Sequence, residues 1–347
     1  MARENKDAAP LGPGPGGPTV DDSSGTEPVP GEVPVRISGG MATFDDPATI
    51  QEAVASLLHQ ELPEGVRWGH LWVVASAPSP HFLRILQDLS EQDPRVRVII
   101  EPERQGKASA INTIFRQAKG DYLVLLNADD RAEPGSVRAL LSRARGFEGP
   151  VAVMGHPLPS AGTSPPLRDI LGLLWELHHT FHQELFREGS AAHLSDNLLL
   201  LSPACLLPFP EGVINDGAYL GVRLRGAGGE LRYAPGARVT MSVPLTLADH
   251  LAQRRRIHVG HRQVTRRLGR APTTFQRATL TNPKLALRAL RQALRETPHP
   301  LRALLGLCVL EGLSRILALW DSLPPERDHV RWSRIRAATL SVAHRGQ

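Results

Sequence analysis

Cysteine is nearly absent: Cys205 and Cys308 are the only two in 347 residues. That excludes a Cys-rich zinc module or a disulfide framework, although a single bridge stays open, and a reducing compartment is the simplest reading. Aromatic residues make up 5% of the chain and are not interleaved with its basic tail. A single-strand nucleic-acid platform needs that interleaving, so no nucleic-acid partner is expected. The N-terminal MARENKDAAP has no apolar core of the kind a secretory signal carries. No run of about 18 uncharged apolar residues occurs either. The nearest stretch, Leu301 to Trp320, carries Arg302, Glu311 and Arg315, which are costly at a bilayer centre. The expectation is a soluble or peripheral protein. Neither a Walker loop nor a dinucleotide fingerprint is present.

What is there is ample apolar material for a core, 41% of the residues. The charge is unevenly placed. Residues 251–347 hold 19 Lys/Arg against 5 Asp/Glu, or +14, so the net charge of +5 leaves −9 for residues 1–250. Such a basic tail suits nucleic acid, an anionic membrane or a phosphorylated small substrate.

Residues 1–32 are dominated by Pro, Gly, Ser and Asp and are expected to form a disordered leader. From Val33, short apolar runs alternate with amphipathic segments, the pattern of β-α-β units. Strands are predicted at Val35–Ser38, Leu71–Ser76, Val96–Glu101, Tyr122–Asn127 and Val151–Gly155, with helices at Ala48–His59, His81–Ser90 and Ala108–Ala118. These near-continuous apolar strands predict an α/β fold with a mostly parallel sheet covered by helices on both faces. Ligands of such sheets bind beyond the C-terminal strand ends. Later come a helix over Arg168–Phe186, a strand or turn at Leu198–Leu201, a helix at Asp216–Arg225, strands at Leu231–Tyr233 and Val239–Val243, and a helix from about Leu247. Residues 33–268 would form the main domain and 269–347 a helical C-terminal extension.

Four segments carry polar chemistry, and each has a plainer reading. Asn127-Ala128-Asp129-Asp130 ends a strand, where carboxylates can hold a hard cation or simply make a turn. Gly106 and Lys107, in ERQGKASAIN, would offer an anion site at a helix start. Asp216 stands at another helix start, where an acidic residue is also stabilised by the helix dipole. Gln253-Arg254-Arg255-Arg256 is either a solvated face or a diphosphate clamp.

Taken in order, these four segments resemble the family 2 glycosyltransferases of the GT-A fold, over about Val33 to His261 and more loosely beyond. The resemblance implies an inverting, metal-dependent transferase that moves a hexose-type sugar from a nucleotide-diphosphate donor to a glycan or lipid-linked acceptor. It makes Asp216 the base. It places Asp129, Asp130 and, by analogy, His261 on Mg2+ or Mn2+. It puts Thr43, Asp45, Ser76, Lys107, Asn112 and Asn127 at the donor, and Gln253, Arg255 and Arg256 at the diphosphate and acceptor. Asn127 replaces the first carboxylate of the Asp-x-Asp motif. Ile257 replaces the Trp of Gln-x-x-Arg-Trp, which implies transfer of one or a few sugars rather than processive synthesis. The second strand ends in ASAPSPHF, without the family's acidic residues. A catalytically impaired homologue that binds a glycan or protein is the alternative. His178 and His182, four apart on a helix, lack the His-Glu-x-x-His pattern of a zinc protease. The run Leu301–Trp320 is expected to pack as core, with peripheral contact to an anionic membrane as a secondary role, flanked by Arg and Trp332. A cytoplasmic protein at the inner face of the cell membrane is expected.

Overall fold

The computed structural model describes residues 34–147, 149–160, 163–188, 193–321 and 329–330. The leader expected over 1–32 and Trp332 lie outside them.

Among the described residues eight strands form one sheet, in the order β3-β2-β1-β4-β7-β6-β8-β5. The parallel half comprises β1 (Val35–Thr43), β2 (Val66–Ser76), β3 (Val96–Glu101) and β4 (Tyr122–Leu126). The other half comprises β5 (Arg131–Ala132), β6 (Val151–Pro159), β7 (Leu198–Leu201) and β8 (Glu230–Met241). There β7 runs antiparallel to both β4 and β6, while β6 and β8 are parallel. The expected mostly parallel sheet is present.

Alternation along β4 explains how one strand serves two cores, because successive side chains point to opposite faces. Val124 and Leu126 pack with α1 (Ile50–Leu58), α2 (Pro80–Gln92) and α4 (Ser136–Ala144). Leu123 and Leu125 pack with α3 (Lys107–Gln117) and α6 (Asp216–Gly226). Full burial of a Leu contributes about 1.5–3 kcal/mol, so both faces are held by apolar burial. Gly40 sets the approach of α3: a Cβ there would stand 2.5 Å from a methyl group of Ile114.

The third core is helical. It joins α5 (Pro165–Arg187) to α8 (Phe275–Thr281), α9 (Pro283–Glu296) and α10 (Pro300–Trp320). The long α7 (Leu247–Leu268) links it to the sheet. Thr246 caps α7 by accepting from Asp249 N at 3.1 Å, and Gly269 ends it in the left-handed conformation at φ 66°. Residues 269–321 thus pack on α5 and α7 as part of the body.

Two sequence readings change. The strands expected at Leu231–Tyr233 and Val239–Val243 are one strand, β8. Pro235-Gly236 looks like a turn but falls in a bulge, where the register jumps from Met154↔Tyr233 to His156↔Arg238. Second, α10 is long and apolar enough, by length and composition, to cross a membrane. In this structure Ala303, Leu307, Leu310, Ser314 and Ala318 are its packed face.

Candidate active site

The site opens where the parallel strands end. Asn127 to Asp130 form a turn closed by Asp130 N donating to Asn127 O at 3.2 Å. Thr49 Oγ1 donates to Ala128 O at 2.9 Å and Ser242 Oγ to Asp129 O at 2.8 Å, which fixes the turn from both sides. The plain turn reading is therefore borne out.

Pairing then brings in residues that the sequence reading missed. Leu126 faces Leu198 across the antiparallel β4–β7 ladder, so the end of one strand meets the start of the other. Asp196 and Asn197 arrive beside Asn127, whose N–H donates to Asn197 O at 3.3 Å. An acid-amide pair directly before the apolar run LLLL was the available signal. Nothing in the sequence says that β7 runs backwards.

Lys107, first residue of α3, ties the acidic groups together. Its Nζ donates to Asn127 Oδ1 at 2.8 Å and to Asp196 Oδ2, and lies 3.5 Å from Asp216 Oδ2. Burial alone would lower the Lys107 pKa, but Asp196 and Asp216 outweigh it and hold the ammonium charged. Asp216 is 6% exposed. Asn215 caps its helix by accepting from Ala218 N at 2.9 Å. Burial raises the Asp216 pKa, Asp196 adds to the rise, and Lys107 and Arg256 oppose it. A raised carboxylate pKa makes a stronger base.

Arg256 reaches the same place from α7. Gly260, one turn on, lets the helix approach: a Cβ there would stand 2.7 Å from Asn215 Cβ. Arg256 Nη2 donates to Ile214 O at 2.9 Å and its Nε to His329 O at 3.3 Å. Val330 and Gln253 line the same cavity, which has a volume of about 980 Å³.

Several expected contacts fall elsewhere. Asn112 does not line the cavity: it exchanges two hydrogen bonds with the Phe209 backbone, at 2.7 and 2.9 Å. Five residues past Lys107 is about 140° round the helix, on another face. Asp45 accepts from Ser79 Oγ at 2.9 Å and so joins the start of α2, while its neighbour Asp46 lines the cavity. Thr43 and Ser76 do line it, with their hydroxyls given to Asp46 at 2.8 Å and Glu101 at 2.7 Å. Arg255 is turned to Asp321, and Arg254 to Glu311 at 3.0 Å, so only Arg256 of the three faces Asp216.

The metal set is also revised. Asp130 is 2% exposed and its Oδ2 accepts from Asn127 at 3.0 Å and Asn197 at 2.8 Å. Its Oδ2 orients those amides, while the residue still lines the cavity. His261 packs against His193, ring centroids 5.4 Å apart, in a group that also holds His178 and His182. Burial keeps these imidazoles neutral, with pKa values below the ordinary range. Among the described residues no three or more His, Cys, Asp or Glu are arranged to hold a metal ion. Asp129 remains. Burial, helped by the Asp46 carboxylate, pushes its pKa up to about 6. A carboxylate so crowded suits a cation that takes one or two protein oxygens and completes its shell from a bound diphosphate.

Known proteins resemble this chain in part of its sequence and in its fold. Residues 39–197 match the family model described as Glycosyl transferase family 2. A mannosyltransferase from Pyrobaculum calidifontis, solved with GDP-Man and Mn2+, superposes with a TM-score of 0.55 over 84% of this chain and 88% of that one, at 20% identity. That likeness concerns the fold alone. An "N-acetylglucosaminyltransferase" of Rhizobium leguminosarum bv. phaseoli is 24% identical over 61% of this chain and 50% of its own length. An "O-antigen biosynthesis protein RfbC" of Myxococcus xanthus is 31% identical over 25% of this chain and 7% of its own. The chain spans at most about half the length of these curated relatives. Residues 39–197 are thus similar to family 2 glycosyltransferases, and the fold is the GT-A type of α/β fold shared with the mannosyltransferase.

Proposed function

We propose that the protein is an inverting glycosyltransferase that takes a sugar from a nucleotide-diphosphate donor and passes it to a hydroxyl of a glycan or lipid-linked acceptor. The carrying observation is the convergence of Lys107, Asp196, Asp216 and Arg256 beside Asp129 in one cavity at the strand ends. In this reading Asp216, ionised, takes the proton of the acceptor hydroxyl as that oxygen bonds to the anomeric carbon. The bond from that carbon to the diphosphate oxygen breaks in the same displacement, so the configuration inverts. Arg256 meets the charge that develops on the leaving diphosphate. Asn127 and Lys107 orient the donor. A Mg2+ or Mn2+ ion held by Asp129 and the donor's own oxygens would supply further stabilisation of that charge.

Work in the cytoplasm at the inner membrane face fits two free cysteines, one buried and one exposed. The rival is an impaired homologue that only binds, favoured by Asn127 in place of a carboxylate and by Ser76 and Asp45 being committed to internal hydrogen bonds. A screen of UDP- and GDP-sugars with Mn2+ separates the two. Release of nucleoside diphosphate by one donor supports the enzyme; binding of none supports the rival.

A further inference from the structure

The cavity is larger and less polar than its catalytic end requires. About 980 Å³ stands at the top of the range of roughly 300–1,000 Å³ that encloses a drug-sized ligand. One end is lined by Asp46, Lys107, Asp129, Asp196, Asp216 and Arg256. The other is walled by Leu174, Leu177 and Phe181 of α5, Leu290 of α9, and Leu304 and Leu307 of α10, with Arg315 and the paired Arg254 and Glu311 also on the lining. Between them stand His178, His193, His258 and His261. His178 Nδ1 and His261 Nε2 are buried ring nitrogens without a hydrogen-bond partner. Buried polar atoms are ordinarily paired, so these two are suited to a ligand's hydroxyl or amide groups. A nucleotide sugar is polar throughout and gives no reason for the leucine wall.

Helix α10 supplies a second, independent observation. Leu301, Leu305, Val309, Leu313, Ile316 and Leu319 are 41–81% exposed. At about 100° per residue they fall in one stripe, opposite the packed face of Ala303, Leu310 and Ser314. Trp320, 70% exposed, sits on its edge. Single exposed apolar residues need no explanation, but a continuous stripe of this length does. Leu304 and Cys308, which line the cavity, occupy the flank between the packed face and the stripe. The apolar compartment and the apolar surface therefore border on the same helix. Residues 283–320 carry six Lys/Arg against two Glu, a surplus that matches an anionic bilayer.

We propose that the acceptor is an amphiphile: its hydroxyl-bearing head passes the histidines to reach Asp216, its hydrocarbon tail fills the α5–α9–α10 compartment, and the α10 stripe rests on the anionic bilayer that supplies it. The catalytic part rests on the transferase reading above, whereas the tail compartment and the membrane contact stand apart from it.

Tryptophan fluorescence tests both arms on the full chain. Brominated phosphatidylcholine in vesicles mixed with phosphatidylglycerol should quench Trp320, and Trp320→Phe should remove that component. Leu305→Glu with Val309→Glu should lower vesicle co-sedimentation at least about tenfold, since each charge replaces an apolar contact of comparable worth. Donor binding, read by calorimetry with UDP- and GDP-sugars, should be unchanged in that variant. A brominated dodecyl glucoside should quench Trp175, which lines the cavity, whereas methyl glucoside should compete weakly or not at all. Absence of vesicle binding, or equal competition by the methyl glycoside, overturns the inference. Vesicle and dodecyl-glucoside binding by a protein that binds no donor would leave the inference standing for the compartment and overturn the transferase reading instead. Preferential binding of a soluble oligosaccharide would assign the compartment to a glycan and overturn it.

Discussion

The two ends of the cavity are built on opposite electrostatic rules. At the strand ends, Lys107, Asp196, Asp216, Asn127 and Asp130 share short polar contacts, so each charge has a partner. At the helical end, a group of histidines is buried as neutral rings, several nitrogens are unpartnered, and leucines complete the wall. The first arrangement tunes protonation and handles charge; the second keeps its imidazoles neutral and holds Arg254 and Glu311 as a pair. One cavity that contains both is suited to a reaction between a charged donor and a less polar acceptor.

The comparison can be broken at its joint. Arg254 and Glu311 form a pair 15% and 11% exposed, which ties α7 to α10 beneath the histidines. Arg254→Ala would leave Glu311 with His258 at 3.3 Å and the Gln276 amide at 3.4 Å as its partners. Removal of one member of a buried pair costs about 3–5 kcal/mol, so a large fall in denaturation midpoint is expected by chemical unfolding. A change under about 1 kcal/mol would mean that the pair is solvated and the two ends are not coupled through it.

Acid should separate the ends next. The His178, His182 and His261 pKa values lie well below the ordinary value of 6.5 in the folded chain. Their stabilising contribution is complete above the unfolded value and is lost as pH falls below it toward the folded values. Each contributes up to about 1.4 kcal/mol per pH unit in that window. Asp129, raised to about 6, has the opposite sign: its contribution is full below the unfolded carboxylate pKa and lost as pH rises through about 6. Thermal melts should therefore show net loss of stability from pH 6.5 to 5, because eight histidines with lowered pKa values outnumber the four carboxylates with raised ones, Asp129, Asp130, Glu176 and Asp216. A melt that rises over that range contradicts the neutral, buried histidines.

A smaller effect is expected from cations. Mn2+ with a bound nucleotide sugar should raise the melting temperature more at pH 7.5 than at pH 5, where Asp129 is protonated. Asp129→Asn should remove most of that difference, by linkage a loss of about 1–3 kcal/mol for ligand well above its Kd. The smallest effect sharpens the site's border. Ser76→Ala removes a hydroxyl given to Glu101, so it should cost about 1 kcal/mol of stability while donor KM stays within about twofold. A large rise in KM would return Ser76 to the donor contacts.

The parallel half of the fold was legible because its strands are short apolar runs and its helices have clear periodicity. Asp129, Lys107 and Asp216 were legible for the same reason, since each stands at the end or start of such an element. Asp196 and Asn197 were not, because antiparallel pairing of β7 leaves no local mark. Arg255 and Asn112 were misplaced by treating neighbours in sequence as neighbours in space, when a helix turns each residue by about 100°. His261 belongs to a histidine group drawn from α5, α7 and the segment before β7, and no single window of sequence contains it. The stripe on α10 was visible as apolar content. Which half of it would be covered depended on α5 and α7.

The central claim is that Asp216 serves as the base, and Asp216→Asn tests it most directly. With the productive donor and acceptor in hand, transfer is followed by product formation and donor binding by calorimetry. The account predicts a fall in kcat of about 10²–10⁴-fold with donor affinity and melting temperature close to wild type. Transfer at the wild-type rate by Asp216→Asn would contradict it.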